Sequence, residues 1–280
     1  MCEPSNRRQN TALSLGGVAM PTEDIVALMI PATWLVMLAI EAWIPARVWP
    51  AARLWRMRGV AFFAMVMAVN AVIPATLPAS LTAWHLVNLS WLPLVLAVPV
   101  GYLAVSLANA LMHRAFHRFD LLWRWFHQLH HAPQRLDMAS AIMFTPQEVA
   151  INVVLFQVVT VFVLGLAPVA AALVGYVAFF YGLFQHFNIR TPVWLGYLIQ
   201  RPESHGVHHR RGFHAYNYSD FPLWDMLLGT FRNPTQYLGQ VGFEAAAQAS
   251  TGRMLLGRDA NESLYGRDNR GHSDPSNNPA

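Results

Sequence analysis

The sequence contains little cysteine, no lysine and few charged residues. Cys2 is the single cysteine of the 280 residues, so the chain forms no internal disulfide and no metal site built from several thiolates. All 19 basic residues are arginine, and only 12% of residues are charged, roughly half the share typical of soluble domains. Any metal ion must therefore be held by nitrogen or oxygen atoms, and the low charge indicates that much of the chain contacts lipid.

Hydrophobic residues make up 55% of the chain and are concentrated in long runs. Three runs are close to the roughly 20 residues that a helix needs to cross a bilayer. They span residues 25–43, 59–77 and 91–112. A fourth run, 149–184, has no charged side chain but is interrupted by Gly165 and Pro168, which predicts two short spans joined by a tight turn. We therefore expect an all-α protein with four or five membrane helices and negligible β-structure.

The positions of the arginines indicate which loops lie in the cytosol. Arginines cluster after the first run, after the third run and after the paired short runs, whereas residues 78–90 and the turn at Gly165 have none. Since basic loops favour the cytosolic side, we expect a multi-pass protein of the cytoplasmic membrane, if the source is bacterial, with its N-terminus outside. Arg7 and Arg8 are the exceptions, and the polar stretch after them lacks the form of a cleaved signal peptide.

Nine of the twelve histidines lie between positions 113 and 209, in or beside the predicted cytosolic loops. They form one HxxxH pair, two HxxHH triplets and one single histidine. These are His113 and His117; His127, His130 and His131; His205, His208 and His209; and His186. Because residues i, i+3 and i+4 share a helix face, we expect each triplet to direct three rings to one point. The whole set would then converge on two metal ions, with four or five nitrogens each, of a kind that imidazole binds well.

Other polar residues near this set are candidates for a supporting role. Six carboxylates could accept a hydrogen bond from the outer N–H group of a ligand ring. They are Asp120, Asp137, Glu148, Glu203, Asp220 and Asp225. Arg114 follows His113 where a zinc peptidase of the HExxH type has its glutamate, so the general base for peptide hydrolysis is absent. We expect His85 and His272 to lie away from the site.

Residues 91–231 resemble the sterol desaturase and fatty acid hydroxylase superfamily of membrane-bound, histidine-rich di-iron oxygenases. The resemblance rests on HRAFH at 113–117, LLWRWFHQLHHAP at 121–133, QHFN at 185–188, PESHGVHH at 202–209 and NYSDFPLWDMLLGT at 217–230. Pro146 and Glu148 match a further element of the superfamily, whose arginine and histidine are missing here.

The resemblance implies two iron ions, with zinc as the alternative metal in the isolated protein, and O2 as co-substrate. The reaction implied is hydroxylation or desaturation of a C–H bond in a membrane lipid. The nine histidines would be the metal ligands. Residues expected to support the site are Asn188, His214, Asn217, Tyr218, Trp224 and Asp225.

We expect residues 1–235 to form one membrane domain whose helical cytosolic cap carries the histidines, and residues 236–280 to be a polar, partly disordered tail. The partners implied are a lipid from the bilayer and an external electron donor such as a reductase, ferredoxin or cytochrome, with no nucleic acid. Two other functions remain open. A histidine-rich metal-binding or transport protein would place ligands within the spans and on both sides of the membrane, and a zinc-dependent lipid hydrolase is compatible with imidazole ligands.

Overall fold

The computed structural model describes residues 12–15, 18–78, 80, 83–213, 215–237 and 239–260. His214, His272 and the tail residues 261–280 lie outside the described residues. Where the chain is described it is predominantly helical, which confirms the predicted fold class. One antiparallel hairpin, formed by β1 (Ala12–Leu15) and β2 (Val18–Pro21), precedes the first helix. In the described chain, β-structure is limited to these two short strands and one isolated bridge, which agrees with the expectation of negligible β-structure.

The helices differ greatly in length. In chain order they are α1 (Thr22–Trp43), α2 (Trp55–Ala75), α3 (Leu94–Arg118), α4 (Asp120–Leu122), α5 (Gln128–His131), α6 (Pro146–Gln157), α7 (Pro168–Phe184), α8 (Pro202–His208), α9 (Pro222–Leu227), α10 (Ala245–Gln248) and α11 (Thr251–Leu255). Segments of π-helix (Trp123–His127, Val158–Val163) and of 3-10 helix (Ser140–Ile142, Val193–Tyr197) lie between them.

Four helical segments of the described chain are long and apolar enough to cross a membrane, as the sequence predicts. They are α1, α2, α3 and Pro146–Val163, and the shorter apolar helix α7 follows them. Large apolar side chains on these helices are exposed, among them Leu35, Val60 and Val95. Exposed apolar side chains on long helices are expected where lipid rather than water is the solvent, so the protein is a membrane protein.

The predicted break between the last two apolar segments is confirmed at Gly165. This residue has a φ of +52°, which glycine adopts without strain. A Cβ atom here would lie 2.7 Å from the carbonyl oxygen of Val87, so the close approach also requires glycine. His85 packs at the same turn, which is at the opposite end of α7 from His186.

Helix α7 packs between α1 and α3. Thr33 of α1 and Tyr176 of α7 are joined by a hydrogen bond of 2.9 Å between their hydroxyl groups. On the other side, Gly101 of α3 lies directly against Val174 of α7. Helices α3 and α7 therefore run side by side, and their C-terminal ends carry histidines to the same end of the bundle.

Residues 240–260, which we name the C-terminal strap, pack against the histidine-bearing segments. Phe243 and Met254 are fully buried beside Trp123. The amide of Phe243 donates to the carbonyl of Ala132 (3.1 Å), and the amide of Gly242 donates to the carbonyl of His209 (3.1 Å). The strap is thus hydrogen-bonded to the ends of both HxxHH triplets, and this part of the predicted tail is folded onto the domain.

Candidate metal centre

The nine histidines between positions 113 and 209 lie in two adjoining groups. The first group contains five residues and the second contains four. They are His113, His117, His127, His131 and His208, and then His130, His186, His205 and His209. Within each group one candidate ligand atom from every ring lies within 4.8 Å of the others. The structure therefore brings together every histidine that the sequence predicted as a ligand.

The prediction that each HxxHH triplet directs its three rings to one point is wrong. In the first triplet the outer histidines, His127 and His131, belong to the five-histidine group, whereas His130 belongs to the other. The second triplet divides the opposite way, and its middle ring, His208, joins the five-histidine group. On a helix, i and i+4 are only about 40° apart, whereas i+3 and i+4 are about 100° apart. Each triplet consequently contributes to both groups.

The five-histidine group has the spacing that one metal ion would require. The Nε2 atoms of His113 and His127 are 2.8 Å apart, and those of His113 and His117 are 3.3 Å apart. His131 Nε2 lies 3.1 Å from the Nε2 atoms of both His127 and His208. Imidazole nitrogens bound at right angles to one ion at about 2.1 Å would be about 3 Å apart. The ring positions therefore fit a single bound ion.

The outer nitrogens of three rings in this group are held by fixed acceptors. His113 Nδ1 lies 2.6 Å from the carbonyl oxygen of Tyr218, and His208 Nδ1 lies 2.8 Å from that of Tyr216. His127 Nδ1 lies 2.5 Å from Oε1 of Glu148. Because a carbonyl oxygen can only accept, Nδ1 of His113 and His208 must carry the proton, which leaves the Nε2 lone pair for a metal.

The four-histidine group is also tightly packed. His186 Nε2 and His205 Nε2 are 3.0 Å apart, and the rings of His130 and His209 lie 4.8 Å apart. Within the described chain, the buried Nε2 of His209 and Nδ1 of His130 have no hydrogen-bond partner. Buried polar atoms are rarely left unpaired, so this group also fits a bound metal.

Burial keeps these rings neutral. Loss of hydration, the largest cause, and the nearby His113 together lower the pKa of His186 to about 3. The pKa is lowered well below 6.5 for His127, His130, His131, His205 and His209, first by burial and then by neighbouring histidines. A ring must be neutral to bind a metal, and these rings meet that condition at neutral pH.

A left-handed turn at Tyr216 and Asn217 aims the two carbonyl groups at their histidines. These residues have φ values of 62° and 49°. The side chain of Asn217 donates to the carbonyl groups of Ser204 (2.7 Å) and Arg232 (2.9 Å) and accepts from the Arg232 amide (2.7 Å). Asn217 therefore ties the turn to α8, which carries the second triplet.

Asp225 and Trp224 fix the segment that follows this turn. The Asp225 carboxylate accepts hydrogen bonds from the amides of Tyr218 (2.9 Å) and Ser219 (2.8 Å). Trp224 Nε1 donates to the hydroxyl of Ser106 on α3 (2.8 Å). The backbone of Tyr218 is thereby held at two points: its amide donates to Asp225, and its carbonyl group accepts from His113.

Asn188 anchors the segment after His186. Its amide donates to Oε2 of Glu41 (3.1 Å), its side-chain oxygen accepts from the Arg47 amide (3.1 Å), and its side-chain nitrogen donates to the Arg47 carbonyl (2.8 Å). Glu41 also accepts from the amide of Met138 (2.9 Å). Sequence reasoning missed Glu41, although an acidic residue within an apolar run is costly and commonly has a role.

The six candidate carboxylates have different positions. Among the described residues, only the Glu148 side chain contacts a histidine ring, and Asp225 acts through the backbone of Tyr218. The others make structural contacts: Asp120 with Arg124, Asp137 with Arg135 and Trp55, Glu203 with Thr191 and Arg201, and Asp220 with the Phe221 amide. Sequence proximity alone therefore overstated the number of supporting carboxylates.

Comparisons with known proteins agree with this geometry. Residues 98–230, which contain all nine histidines, match a family model described as fatty acid hydroxylase. The chain is 33% identical over 143 residues to the ornithine lipid hydroxylase OlsE of Rhizobium tropici, an alignment that covers 49% of the chain and 42% of OlsE. The chain thus spans less than half the length of this relative, and no solved structure matches it. Residues 98–230 thus match a fatty acid hydroxylase domain of the sterol desaturase and fatty acid hydroxylase superfamily.

Proposed function

We propose that the nine histidines hold two iron ions and that the protein uses O2 to oxidise a C–H bond of a membrane lipid. The observation that carries this proposal is the division of nine histidine rings into adjoining groups of five and four. The two groups are in direct contact, because the rings of His131 and His209 are stacked with centroids 4.1 Å apart. Two ions held in this way would be close neighbours.

Iron bound at these groups would supply the activation of O2 that an unactivated C–H bond requires. The chain's own residues hold the rings and exclude water. Phe144 stacks on His130 with centroids 4.6 Å apart, and the fully buried Trp123 lies 5.2 Å from the rings of both His117 and His131. Excluding water protects an oxidising site from side reactions.

The family and the relative favour hydroxylation over desaturation. Hydroxylation inserts one atom of O2 into a C–H bond and releases the other as water, which consumes two electrons and two protons. We infer an external reduced protein, such as a ferredoxin, cytochrome or reductase, as the source of the electrons. The arginines near the histidines favour a cytosolic site, where an acidic donor would be attracted.

We infer a membrane lipid as the substrate, and ornithine lipid, which the name of OlsE gives for that protein, is the first lipid to test. The purified, iron-loaded protein would be incubated with reduced donor, O2 and a panel of lipids. A product heavier by one oxygen atom, or lighter by two hydrogen atoms, is the expected result in mass spectrometry.

The matched variants are His131→Gln and His85→Gln. The first removes a ring at the contact between the two groups and should abolish turnover. The second removes a histidine near Gly165, at the end of α7 far from the histidine groups, and should leave turnover unchanged. Turnover with zinc alone and without O2 would instead indicate a hydrolase. Metal uptake into sealed vesicles without lipid oxidation would indicate a transporter.

A further inference from the structure

Three aromatic rings form a wall beside an acidic side chain on the bilayer side of the histidines. Tyr102 of α3 and Tyr181 of α7 have ring centroids 4.9 Å apart. Phe221 lies 5.8 Å from Tyr102 and 6.3 Å from Tyr181. The three rings are therefore mutual neighbours, and the acidic residue Asp220 precedes Phe221 in the chain.

Among the described residues, the carboxyl group of Asp220 has no cationic partner. Its Oδ1 atom accepts a hydrogen bond from the Phe221 amide (3.0 Å). In the part of the chain that the structure describes, no arginine or histidine forms an ion pair with it. The buried hydroxyl of Tyr102 faces this carboxyl group but is without a well-formed hydrogen bond among the described residues. Carboxylates removed from water are normally paired with a cation, and the described part of the chain supplies none to Asp220.

Burial raises the pKa of this carboxyl group. Loss of hydration raises the pKa of Asp220 from 3.8 to about 7, although the Phe221 amide and the Tyr102 hydroxyl lower it. The neighbouring charge of Asp225 also contributes to this raised pKa. A bound cation would reverse this effect by stabilising the ionised carboxylate.

The wall lies where a lipid would approach the proposed metal centre. Tyr181 precedes His186 by five residues, which is about 8 Å along a helix. Asp220 follows Tyr218, whose carbonyl group accepts from His113. Asp220, Tyr181 and Phe221 are each partly exposed as residues, so the wall reaches the surface of the described chain, while burial around the carboxyl group itself raises its pKa.

We propose that Asp220, together with Tyr102 and Tyr181, binds the ammonium group of an amine-bearing lipid. A carboxylate forms a charge-assisted hydrogen bond with an ammonium N–H group, a phenol oxygen accepts another, and aromatic faces attract the cation. This inference rests on the proposed function, because it assigns a substrate class to the same site. A lipid without an amine would leave the carboxyl group unpaired.

The test measures binding rather than turnover. Dodecylammonium and its chain-matched neutral analogue dodecanol would be titrated into the full-length, metal-loaded protein in phosphatidylcholine nanodiscs near pH 8. Asp220→Asn should weaken dodecylammonium binding about tenfold, which corresponds to about 1.4 kcal/mol, and leave dodecanol binding unchanged. Tyr102→Phe should weaken dodecylammonium binding by less, about two- to tenfold for one hydrogen bond.

Two controls separate recognition from folding. Asp120→Asn removes the same charge from an exposed carboxylate that pairs with Arg124 and should bind both probes like the wild type. Asp220→Glu keeps the charge and should retain the preference for the amine. The metal content of each variant reports whether the centre is intact.

Equal binding of dodecylammonium and dodecanol by the wild type would overturn the proposal, and so would unchanged amine binding in Asp220→Asn. The outcome does not depend on catalysis. If no lipid is oxidised, the proposed function fails, while a tenfold amine effect would still establish the site. If lipids are oxidised without any amine effect, the recognition proposal fails alone.

Discussion

The Nδ1 atom of His127 lies 2.5 Å from the Oε1 atom of Glu148, and both side chains are buried. Glu148 is in the first turn of α6, where Thr145 caps the helix by accepting the Glu148 amide (3.1 Å). The opposite ring nitrogen of His127 lies 2.8 Å from His113. A helix start therefore positions the carboxylate that orients a candidate ligand.

Replacing Glu148 with glutamine should weaken metal binding. The amide keeps the size of the side chain but replaces the carboxyl oxygen beside Nδ1 of His127 with a weaker hydrogen-bond partner. Loss of such a partner typically lowers metal affinity roughly 10- to 100-fold. Competition with a chelator, followed by metal analysis, measures the effect. Asp120→Asn, which changes an exposed carboxylate, should keep the wild-type affinity, and equal affinities in the two variants would contradict the role of Glu148.

Asp225→Asn should disturb the centre through Tyr218. The carboxylate accepts the amides of Tyr218 and Ser219 and the hydroxyl of Thr230 (2.7 Å), and hydrogen bonds to a charged group contribute about 1.5–3 kcal/mol each. We expect the thermal midpoint gained on metal loading to shrink, because His113 loses its fixed acceptor. Thr230→Val removes only the hydroxyl contact and should have a smaller effect. An unchanged metal-induced gain in Asp225→Asn would argue against positioning.

Gly242→Ala should detach the C-terminal strap. Gly242 has a φ of +75°, and an added Cβ would lie 2.0 Å from the Pro133 carbonyl oxygen. Backbone strain and overpacking together should cost about 2–4 kcal/mol. We expect a lower unfolding midpoint and faster metal loss to a chelator. Gly252→Ala, where the added atom meets open space, is the matched control and should be neutral or slightly stabilising. Similar metal loss from both variants would show that the strap does not retain metal.

The stability conferred by Asp220 should depend on pH. Its folded pKa of about 7 exceeds the value of 3.8 for an exposed aspartate, so the folded state binds the proton more tightly than the unfolded state. Its contribution is fully present below 3.8 and is lost as the pH rises through 7, by about 1.4 kcal/mol per pH unit in between. Relative to Asp220→Asn, the wild type should lose unfolding midpoint between about pH 5 and 7. The same difference at every pH would refute the shift.

Hydropathy predicted the membrane helices but not all their ends. The third apolar run was predicted to end at residue 112, yet α3 continues to Arg118 and carries His113 and His117 on its last turns. Arg114 interrupts the apolar pattern but not the backbone hydrogen bonding. Helix length depends on backbone hydrogen bonding, whereas hydropathy reports only whether the side chains prefer water or an apolar environment.

The nine histidines could be predicted from spacing, but their division into two groups could not. The split of each triplet depends on where α5 and α8 lie relative to each other, which is a tertiary relationship. The role of the carbonyl groups of Tyr216 and Tyr218 as acceptors for histidine rings could not be predicted either. Every residue has a carbonyl group, and only the left-handed turn directs these two at the rings. The sequence did indicate Asn217, Tyr218 and Asp225 through the resemblance, without the reason that the geometry supplies.

The position of the C-terminal strap late in the chain affects the order in which the histidine groups are made and then fixed during biosynthesis. Gly242 and Phe243 join the ends of the two triplets, and both follow the family-matched residues 98–230 in the chain. Because translation proceeds from the N-terminus, all nine histidines of the two groups leave the ribosome before the strap does. We therefore expect ions to enter the two histidine groups before the strap packs against them, and their later exchange to require that the strap be released.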